Sequence, residues 1–260
     1  MYDGKLPDDS VNVTGKSPLK ELFTMLAGLI AIVAILYWLA GYAINYAVKN
    51  ISVKQEQKLF SFLHAGQRVS DVDSEATRRL QKLIDDATAA SCFQTPYHFV
   101  VSLSDSNVSN AFAFPGGLIV VNRGLIDKAE SENEIFFVLG HEIAHFQNRD
   151  HLEGIGRRFV ATALAHMAGL SDSQEMIDLI VNLSEKRFSQ AQEKDADLYA
   201  VDLMNCYYGH VAGATDFFRH LPEQNGYALL STHPATRERI ENIEAYIARK
   251  GYREKERRPF

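Results

Sequence analysis

The sequence predicts an α+β fold in which a mainly helical domain with a small β-sheet follows one transmembrane helix. Three observations lead to this prediction. Residues 22–48 form a long apolar run, two short strand-like segments flank a proline–glycine turn at 115–117, and helical patterns with apolar faces account for most of the remaining chain. The 260 residues are 46% hydrophobic and 23% charged, which is a globular composition.

The N-terminal part divides into a polar leader and an apolar span. Residues 1–21 are polar and contain several turn formers, so we expect a disordered leader there. Residues 22–48 exceed the roughly twenty apolar residues that cross a bilayer as a helix. Trp38 and Tyr42 stand toward the end of this run, as aromatic residues do at a membrane interface. The run is too long for a signal peptide, and lysines on both sides leave its orientation open.

The rest of the chain is predicted to be a juxtamembrane connector at 49–70, a folded domain at 71–250 and a loose basic tail at 251–260. Pro115 followed by Gly116 suits the two central positions of a type II turn, which predicts a β-hairpin. The predicted helices lie near 72–90, 131–149, 153–169, 174–184, 186–206, 211–220 and 234–249, and the predicted strands at 97–103, 110–114 and 118–121.

Charge and cysteine content limit the function classes. The formal net charge is -6, and no basic stripe with interleaved aromatic residues is present, so we expect no nucleic-acid partner. The two cysteines, Cys92 and Cys206, form no pattern with the histidines. They are either two free thiols or one disulfide, and the sequence leaves both alternatives open.

The most informative motif is His141-Glu142-Ile143-Ala144-His145, within the helix predicted over 131–149. Residues four apart project from one helix face, so both imidazoles reach one ion, and the glutamate stands beside it. This arrangement suits a zinc hydrolase with one Zn²⁺, in which two neutral histidines bind the metal and Glu142 accepts a proton from the activated water. Ser131 and Glu134 resemble a capping box at the start of this helix.

A catalytic zinc ion requires a third protein ligand, and the sequence offers two. His151 lies six residues after His145, the spacing of the metzincin pattern, although Asn148 stands where that pattern has glycine. Glu193 is the alternative, on a helix where Asp197 follows one turn later. Asp197 would then accept a hydrogen bond from a ligand histidine and fix the orientation of its ring.

These residues resemble the HtpX and CAAX prenyl endopeptidase family of gluzincins, to which the mitochondrial Oma-type proteases also belong. The resemblance covers roughly residues 72–249 and lies in several motifs in fixed order. These motifs are His141-Glu142-Ile143-Ala144-His145, Glu193-Lys194-Asp195-Ala196-Asp197, and the segments 110–117, 131–134 and 231–240. The multi-span members have several transmembrane helices, whereas this chain has one apolar run.

The resemblance implies a zincin-like (gluzincin) metallopeptidase domain and assigns roles within it. It implies His141, His145 and Glu193 as zinc ligands and Glu142 as the catalytic base. Asp197 is assigned a supporting role, either as a proton donor or, as we expect, in orienting a ligand. His233 and Arg237 are assigned contacts with the substrate carbonyl or the tetrahedral intermediate; alternatively, His233 occupies the open zinc position in a resting form or caps a helix.

The expected activity is that of a membrane-anchored zinc endopeptidase in protein quality control. An unfolded or extended polypeptide would pair with an edge strand formed by Asn110, Ala111, Phe112 and Ala113. We expect a single-pass protein of a bacterial inner membrane with its catalytic domain in the periplasm, the cytoplasm being the alternative. The rival function is that of an anchored, non-catalytic zinc chaperone or assembly factor, which would not need Glu142.

Overall fold

The computed structural model describes residues 18–60, 74–90, 93–152, 188–220, 233 and 237–260. Helix α1, Pro18–Asn50, contains the apolar segment Leu19–Ala43, which is long and apolar enough to cross a membrane. Its large hydrophobic side chains are exposed, among them Leu29, Ile32 and Trp38. The predicted apolar run, 22–48, lies within α1, whereas most of the predicted leader lies outside the described residues.

A second, shorter helix follows α1 almost directly. Helix α2, Val53–Leu59, begins after only Ile51 and Ser52, and it lies within the predicted connector. Ser52 caps it, because its side chain accepts a hydrogen bond from the main-chain N–H of Gln55. The predicted connector therefore contains a helix that was not expected from the sequence.

Within the described residues the sheet has three strands, β1 Val100–Ser104, β2 Ala111–Phe114 and β3 Leu118–Asn122, in the order β1-β3-β2. Strands β2 and β3 are antiparallel, which confirms the predicted hairpin, and β1 runs parallel to β3. Gly116 has φ 89° at the turn, a conformation that glycine adopts without steric cost. Strand β2 lies at one edge of the sheet. Its outer side is therefore the side on which an extended peptide can add a strand.

The described part of the chain contains six further α-helices. These are α3 Ser74–Ala89, α4 Arg123–Lys128, α5 Glu132–Gln147, α6 Gln190–Tyr208, α7 Asp216–His220 and α8 Arg237–Lys250. Helices α3, α5, α6 and α8 correspond to predicted helices, while the six-residue α4 was not predicted. The helix predicted near 211–220 is shorter than expected. The helices predicted near 153–169 and 174–184 fall outside the described residues.

Helices α5 and α6 form the centre of the domain. Helix α5 is buried along almost its whole length, from Asn133 to Phe146, which explains why it carries few exposed polar groups. At Gly140 a Cβ atom would lie 3.3 Å from both Cα and Cβ of Ala200 on α6. Because both residues are small, the two helices approach closely. This contact brings the histidines of α5 opposite the carboxylates of α6.

The tail at 251–260 is docked, so the expectation of a loose tail was wrong. The main-chain N–H of Glu132 donates to the carbonyl of Arg258 at 2.8 Å, and the N–H of Arg258 donates to Oδ1 of Asn133 at 2.8 Å. The first turn of a helix has N–H groups without intrahelical partners, and the tail supplies an acceptor for one of them. Arg257 also pairs with Asp216, and Phe260 packs against the core.

Cys206, on α6, is disulfide-bonded. Of the two alternatives that the sequence left open, a free thiol or a disulfide, the structure shows the disulfide for Cys206. The chain contains one other cysteine, Cys92, which lies outside the described residues.

Candidate active site

Two histidines of α5 are held by two carboxylates. Nδ1 of His141 lies 3.0 Å from Oδ1 of Asp197, and Nδ1 of His145 lies 3.0 Å from Oδ2 of Asp150. A carboxylate at Nδ1 fixes the ring orientation and favours the tautomer with the proton on that nitrogen. Both Nε2 atoms then carry lone pairs, and they face each other at 3.2 Å. The predicted orienting role of Asp197 fits this geometry, while Asp150 was not predicted.

Glu193 and His233 complete a group of four buried donors around this position. Oε2 of Glu193 lies 3.5 Å from Nε2 of His141, and Oε1 lies 3.8 Å from Nε2 of His145. Nδ1 of His233 lies 3.1 Å from Nε2 of His141 and 2.7 Å from Oε1 of Glu193. Tetrahedral zinc with ligands at about 2.0–2.1 Å separates its ligand atoms by about 3.3 Å. The three pairs formed by His141, His145 and Glu193, at 3.2, 3.5 and 3.8 Å, lie near this value.

The chemistry of the donor set also fits a cation. Two unprotonated Nε2 atoms have no proton to share, so the close approach of His141 and His145 is favourable only with a positive charge between them. Burial holds the pKa of His141 well below its ordinary value, which keeps the ring neutral and able to bind a metal. Burial alone would raise the pKa of Glu193, but the hydrogen bond with His233 and the charges around it lower it. Two imidazoles and one carboxylate, as His141, His145 and Glu193 would supply, form a typical catalytic zinc set.

Glu142 lies beside this group and has one oxygen atom available for chemistry. Its side chain is buried, and Oε1 has no hydrogen-bond partner among the described residues, the nearest imidazole nitrogen of His233 being 3.6 Å away. The main-chain N–H of Ala113, on β2, donates a hydrogen bond to the Glu142 carboxylate. Burial raises the pKa of Glu142 to about 8. A carboxylate with such a pKa accepts and releases a proton near neutral pH.

The structure places Arg237 away from the site, so that prediction was wrong. Its side chain is 92% exposed and pairs with Glu241 one turn along α8. Arg239 reaches the site instead: Nη1 lies 2.6 Å from Oε2 of Glu193, and Nη2 lies 2.6 Å from Oδ1 of Asp197. Two residues along a helix lie on nearly opposite faces, so only one of these arginines can point inward.

The sequence of α8 contains a pattern that indicates Arg239 as the buried arginine. The buried residues of α8 are Arg239, Ile243 and Tyr246, which follow the i, i+4, i+7 spacing of one helix face. Arg237 is off this face. A helical period applied to 237–250 would have selected Arg239 as the inward arginine.

His151 lies outside the donor group, contrary to the metzincin alternative. Helix α5 ends at Gln147, Arg149 adopts φ 60°, and Asp150–Leu152 form a 3₁₀ turn. In this turn Nε2 of His151 lies 2.8 Å from Oε1 of Glu56 and Nδ1 lies 3.2 Å from the carbonyl of His145. The turn therefore directs Asp150 toward His145 and His151 toward Glu56.

The residues predicted to bind substrate lie on or next to the edge strand. Asn110 and Ala111 are buried, whereas Phe112 and Ala113 are partly exposed. Because the main-chain N–H of Ala113 donates to Glu142, β2 runs alongside this carboxylate. Contact between these four residues and a substrate remains a prediction.

Aromatic residues border the site. The ring of Phe188, just before α6, stacks on His145 with centroids 3.9 Å apart and on His233 with centroids 4.9 Å apart. A small apolar pocket opens next to His141 and Glu142, and its walls include Phe137, Val138, Phe217 and Phe218. Phe188 was not predicted, because a single aromatic residue outside a periodic segment carries no pattern.

Two helices that present a His-Glu-x-x-His motif and a third-ligand glutamate define a zinc metallopeptidase of the gluzincin class. Residues 74–247 match peptidase family M48, and the chain belongs to this family. It is a zinc metalloendopeptidase, and its four buried donors are suited to one metal ion. The resemblance to the gluzincin family that the sequence motifs indicated is thereby confirmed.

Three relatives illustrate the similarity. The metalloprotease LoiP of Escherichia coli K12 is 32% identical over 67% of this chain and 72% of its own length. The β-barrel assembly-enhancing protease of Yersinia pestis is 26% identical over 74% of this chain. The mitochondrial metalloendopeptidase OMA1 of Schizosaccharomyces pombe is 27% identical over 53% of this chain. The chain spans 43% of each of the last two proteins.

Proposed function

We propose that the protein is a membrane-anchored endopeptidase that cleaves extended polypeptide segments in protein quality control. The observation that carries this proposal is the position of Glu142, between the four-donor group and the edge strand β2. A peptide that pairs with the outer side of β2 would lie along the catalytic carboxylate. Main-chain pairing requires an extended, locally unfolded segment and imposes little side-chain preference, as expected for a quality-control substrate.

His141, His145 and Glu193 would hold the zinc ion, which when bound polarises the scissile carbonyl and makes water nucleophilic near neutral pH. Glu142 takes the proton of the attacking water on its available Oε1 and passes it to the leaving amine. The Ala113 N–H keeps the carboxylate in place during this transfer. Arg239 balances the charges of Glu193 and Asp197.

His233 has two tasks in this proposal. It is the fourth donor of the group, so it would compete with a substrate carbonyl for a bound metal ion. Substrate binding therefore requires the His233 side chain to move. Once displaced, its imidazole would be available to donate a hydrogen bond to the oxygen of the tetrahedral intermediate.

Helix α1 and Cys206 support the proposed location. An exposed apolar helix of this length is stable in a bilayer and unfavourable in water. The disulfide of Cys206 requires an oxidising compartment, such as the bacterial periplasm. We therefore propose an inner-membrane anchor with a periplasmic catalytic domain. Protease added to spheroplasts should digest this domain, whereas protection until the membrane is permeabilised would indicate the cytoplasmic side.

The test of the activity is Glu142→Gln, which keeps the size of the side chain and removes the base. We expect hydrolysis of denatured casein to fall by about 10²–10⁴-fold, with zinc content unchanged. Glu238→Gln is the matched control, because Glu238 is exposed on α8 and should leave both measurements unaltered. Full casein cleavage by a zinc-loaded Glu142→Gln enzyme would favour another mechanism. No cleavage by the wild-type enzyme would favour the chaperone or assembly-factor alternative.

Cleavage-site proteomics in cells would then test the quality-control role. Membranes of cells with the wild-type enzyme and with Glu142→Gln are compared after heat or misfolding stress. Unfolded envelope proteins should accumulate in the variant, and new protein ends should appear only with the wild type. A single well-folded substrate, cleaved equally with and without stress, would contradict this role.

A further inference from the structure

A carboxylate of the juxtamembrane helix α2 is buried inside the peptidase domain. Glu56 is 0% exposed, although it lies six residues after the end of α1. Its Oε1 accepts hydrogen bonds from the main-chain N–H of Gly116 at 3.0 Å and from Nε2 of His151 at 2.8 Å. Its Oε2 accepts from the hydroxyl of Tyr97 at 2.7 Å and from Nη2 of Arg149 at 3.2 Å. These five residues are called the Glu56 cluster below.

The Glu56 cluster joins α2 to both sides of the active site. Gly116 forms the turn that follows the edge strand β2, and His151 belongs to the turn that follows the metal-binding helix α5. One imidazole ring separates Glu56 from the metal ligand His145, since the other nitrogen of His151 lies 3.2 Å from the His145 carbonyl. The cluster therefore connects the chain segment next to the apolar helix with the catalytic machinery.

The hydrogen bonds of Glu56 hold α2 firmly against the peptidase domain. A buried carboxylate is unfavourable unless donors and a positive charge surround it, and here Arg149 and three further donors do so. Removing α2 from the domain would leave the groups that face Glu56 without their acceptor. A second contact acts in the same direction, because Nε2 of Gln57 donates to the carbonyl of His98 at 3.0 Å.

The connection between this anchoring point and the membrane is short. Helix α1 continues for seven residues beyond the apolar segment that ends at Ala43. Only Ile51 and Ser52 separate α1 from α2. With a rise of 1.5 Å per helical residue and at most 3.6 Å per extended residue, Glu56 lies within about 25 Å of chain from Ala43. A domain on so short a connection has little freedom to move away from the bilayer.

We propose that Glu56 is a positioning residue that holds the active site at a short, fixed distance from the membrane, so that the enzyme selects peptide bonds next to the bilayer. The substrate class is therefore the extended, membrane-proximal segments of membrane proteins. This inference rests on the membrane anchoring and the endopeptidase activity proposed above. Glu56 acts through the placement of α2 and does not contact the substrate.

The test uses the full-length enzyme in liposomes and three substrates that contain one cleavable peptide. In the first substrate the peptide directly follows a single membrane span. In the second, a proline-rich spacer of about 20 residues holds it about 60 Å from the span, at roughly 3.1 Å per residue. The third is the peptide in solution. The measured quantity is the ratio of the cleavage rates for the near and the distant substrate.

We expect a ratio of at least about ten for the wild type, because the short connection raises the local concentration of the near peptide only. A flexible Gly/Ser insertion of about 40 residues between Asn50 and Ile51 should bring the ratio close to one by extending the reach by tens of ångströms. This insertion leaves the Glu56 cluster intact, so cleavage of the soluble peptide should not change. Equal rates in the wild type, or an unchanged ratio after the insertion, would overturn the proposal.

Glu56→Gln tests the residue itself. We expect the ratio to fall toward one while the soluble peptide is still cleaved, because the loss of the charge weakens the attachment of α2. Glu75→Gln removes the same charge from an exposed position of α3 and should keep the wild-type ratio. If Glu56→Gln also keeps the wild-type ratio of cleavage rates, the role assigned to Glu56 is wrong. If the wild type cleaves none of the substrates, the proposed function fails together with this inference.

Discussion

At the scale of single residues, the site is built from histidines that each have a carboxylate behind them. Asp197 supports His141 from α6, while Asp150 supports His145 from the turn after α5. Asp150 is itself held by Nε2 of Gln192, which donates to its Oδ1 at 2.9 Å. Such outer carboxylates orient the ring and increase the basicity of the nitrogen that binds the metal.

Asp150→Asn should therefore weaken zinc binding without removing a ligand. We expect the zinc affinity to fall by about 10–100-fold, because an amide neither carries the charge nor fixes the tautomer of His145. Chelator competition on the purified protein measures this affinity. Asp127→Asn, an exposed change on α4, is the control. Equal zinc affinities for the two variants would show that Asp150 is only a packing residue.

The two arginines of α8 give a prediction with an internal control. Arg239→Ala leaves Glu193 and Asp197 buried without their cation, so the metal-free protein should lose about 3–5 kcal/mol of unfolding free energy. Arg237→Ala affects an exposed pair and should stay within about 0.5 kcal/mol of the wild type. Urea unfolding of the metal-free proteins measures both changes. Similar losses for both variants would contradict the assignment of Arg239 to the site.

Local sequence patterns predicted the residues of the site that lie within motifs. His141, Glu142 and His145 follow from one helical turn, and Glu193 followed from the resemblance of a second motif. Asp150, Arg239 and Phe188 are different, since each is brought to the site by a turn or by tertiary packing. The resemblance of the histidine–proline motif indicated Arg237, whereas the helical period of α8 selects Arg239.

At the scale of elements, the close contact between α5 and α6 determines whether the donors meet. Helix α5 carries two of the proposed zinc ligands and α6 carries the third, so the separation of the two helices sets the size of the proposed metal site. Gly140 is next to His141 at the point of closest approach to Ala200. A larger side chain there would push the two helices apart.

Gly140→Val should reduce both stability and metal binding. We expect a loss of about 1–3 kcal/mol, as is usual for overpacking in a dense core, together with lower zinc occupancy. Gly140→Ala should have a smaller effect, because its Cβ would lie 3.3 Å from the Ala200 atoms and needs shifts of only a few tenths of an ångström. Thermal unfolding and metal analysis in detergent give both quantities. Full zinc occupancy in Gly140→Val would show that the site tolerates a wider helix separation.

The element order was predicted better than the element ends. The hairpin, α3, α5, α6 and α8 follow from turn chemistry and helical periodicity, which act within a few residues. Helices α2 and α4 have seven and six residues, too few to show a clear period. The docked tail could not be predicted, because its partners Glu132 and Asn133 are more than 120 residues away in the sequence.

At the scale of the whole molecule, the Glu56 cluster makes stability depend on pH. Burial would raise the pKa of Glu56, but the hydrogen bonds from His151, Gly116 and Tyr97 together lower it from its ordinary value of 4.5. A carboxyl group with a lowered pKa in the folded state stabilises the fold above its unfolded pKa. That contribution is lost as the pH falls through the folded pKa.

The wild type should therefore lose stability below about pH 4.5 more steeply than Glu56→Gln does. The variant lacks the titrating group, so the difference between the two unfolding free energies should be largest near neutral pH and shrink in acid. Unfolding curves in detergent between pH 3 and pH 7 measure this difference. A difference that grows on acidification would mean that Glu56 is protonated in the folded protein.

The contact between the tail and α5 can form only late in the synthesis of the chain. The hydrogen bond from Arg258 to Asn133 joins residues 125 positions apart. At roughly 5–20 residues per second, Arg258 is added roughly 6–25 s after Asn133. Arg239 is likewise made long after the histidines whose surroundings it completes. Helix α1 precedes all of these residues, so the proposed membrane anchor is available for insertion before the ribosome has supplied the residues that finish the site.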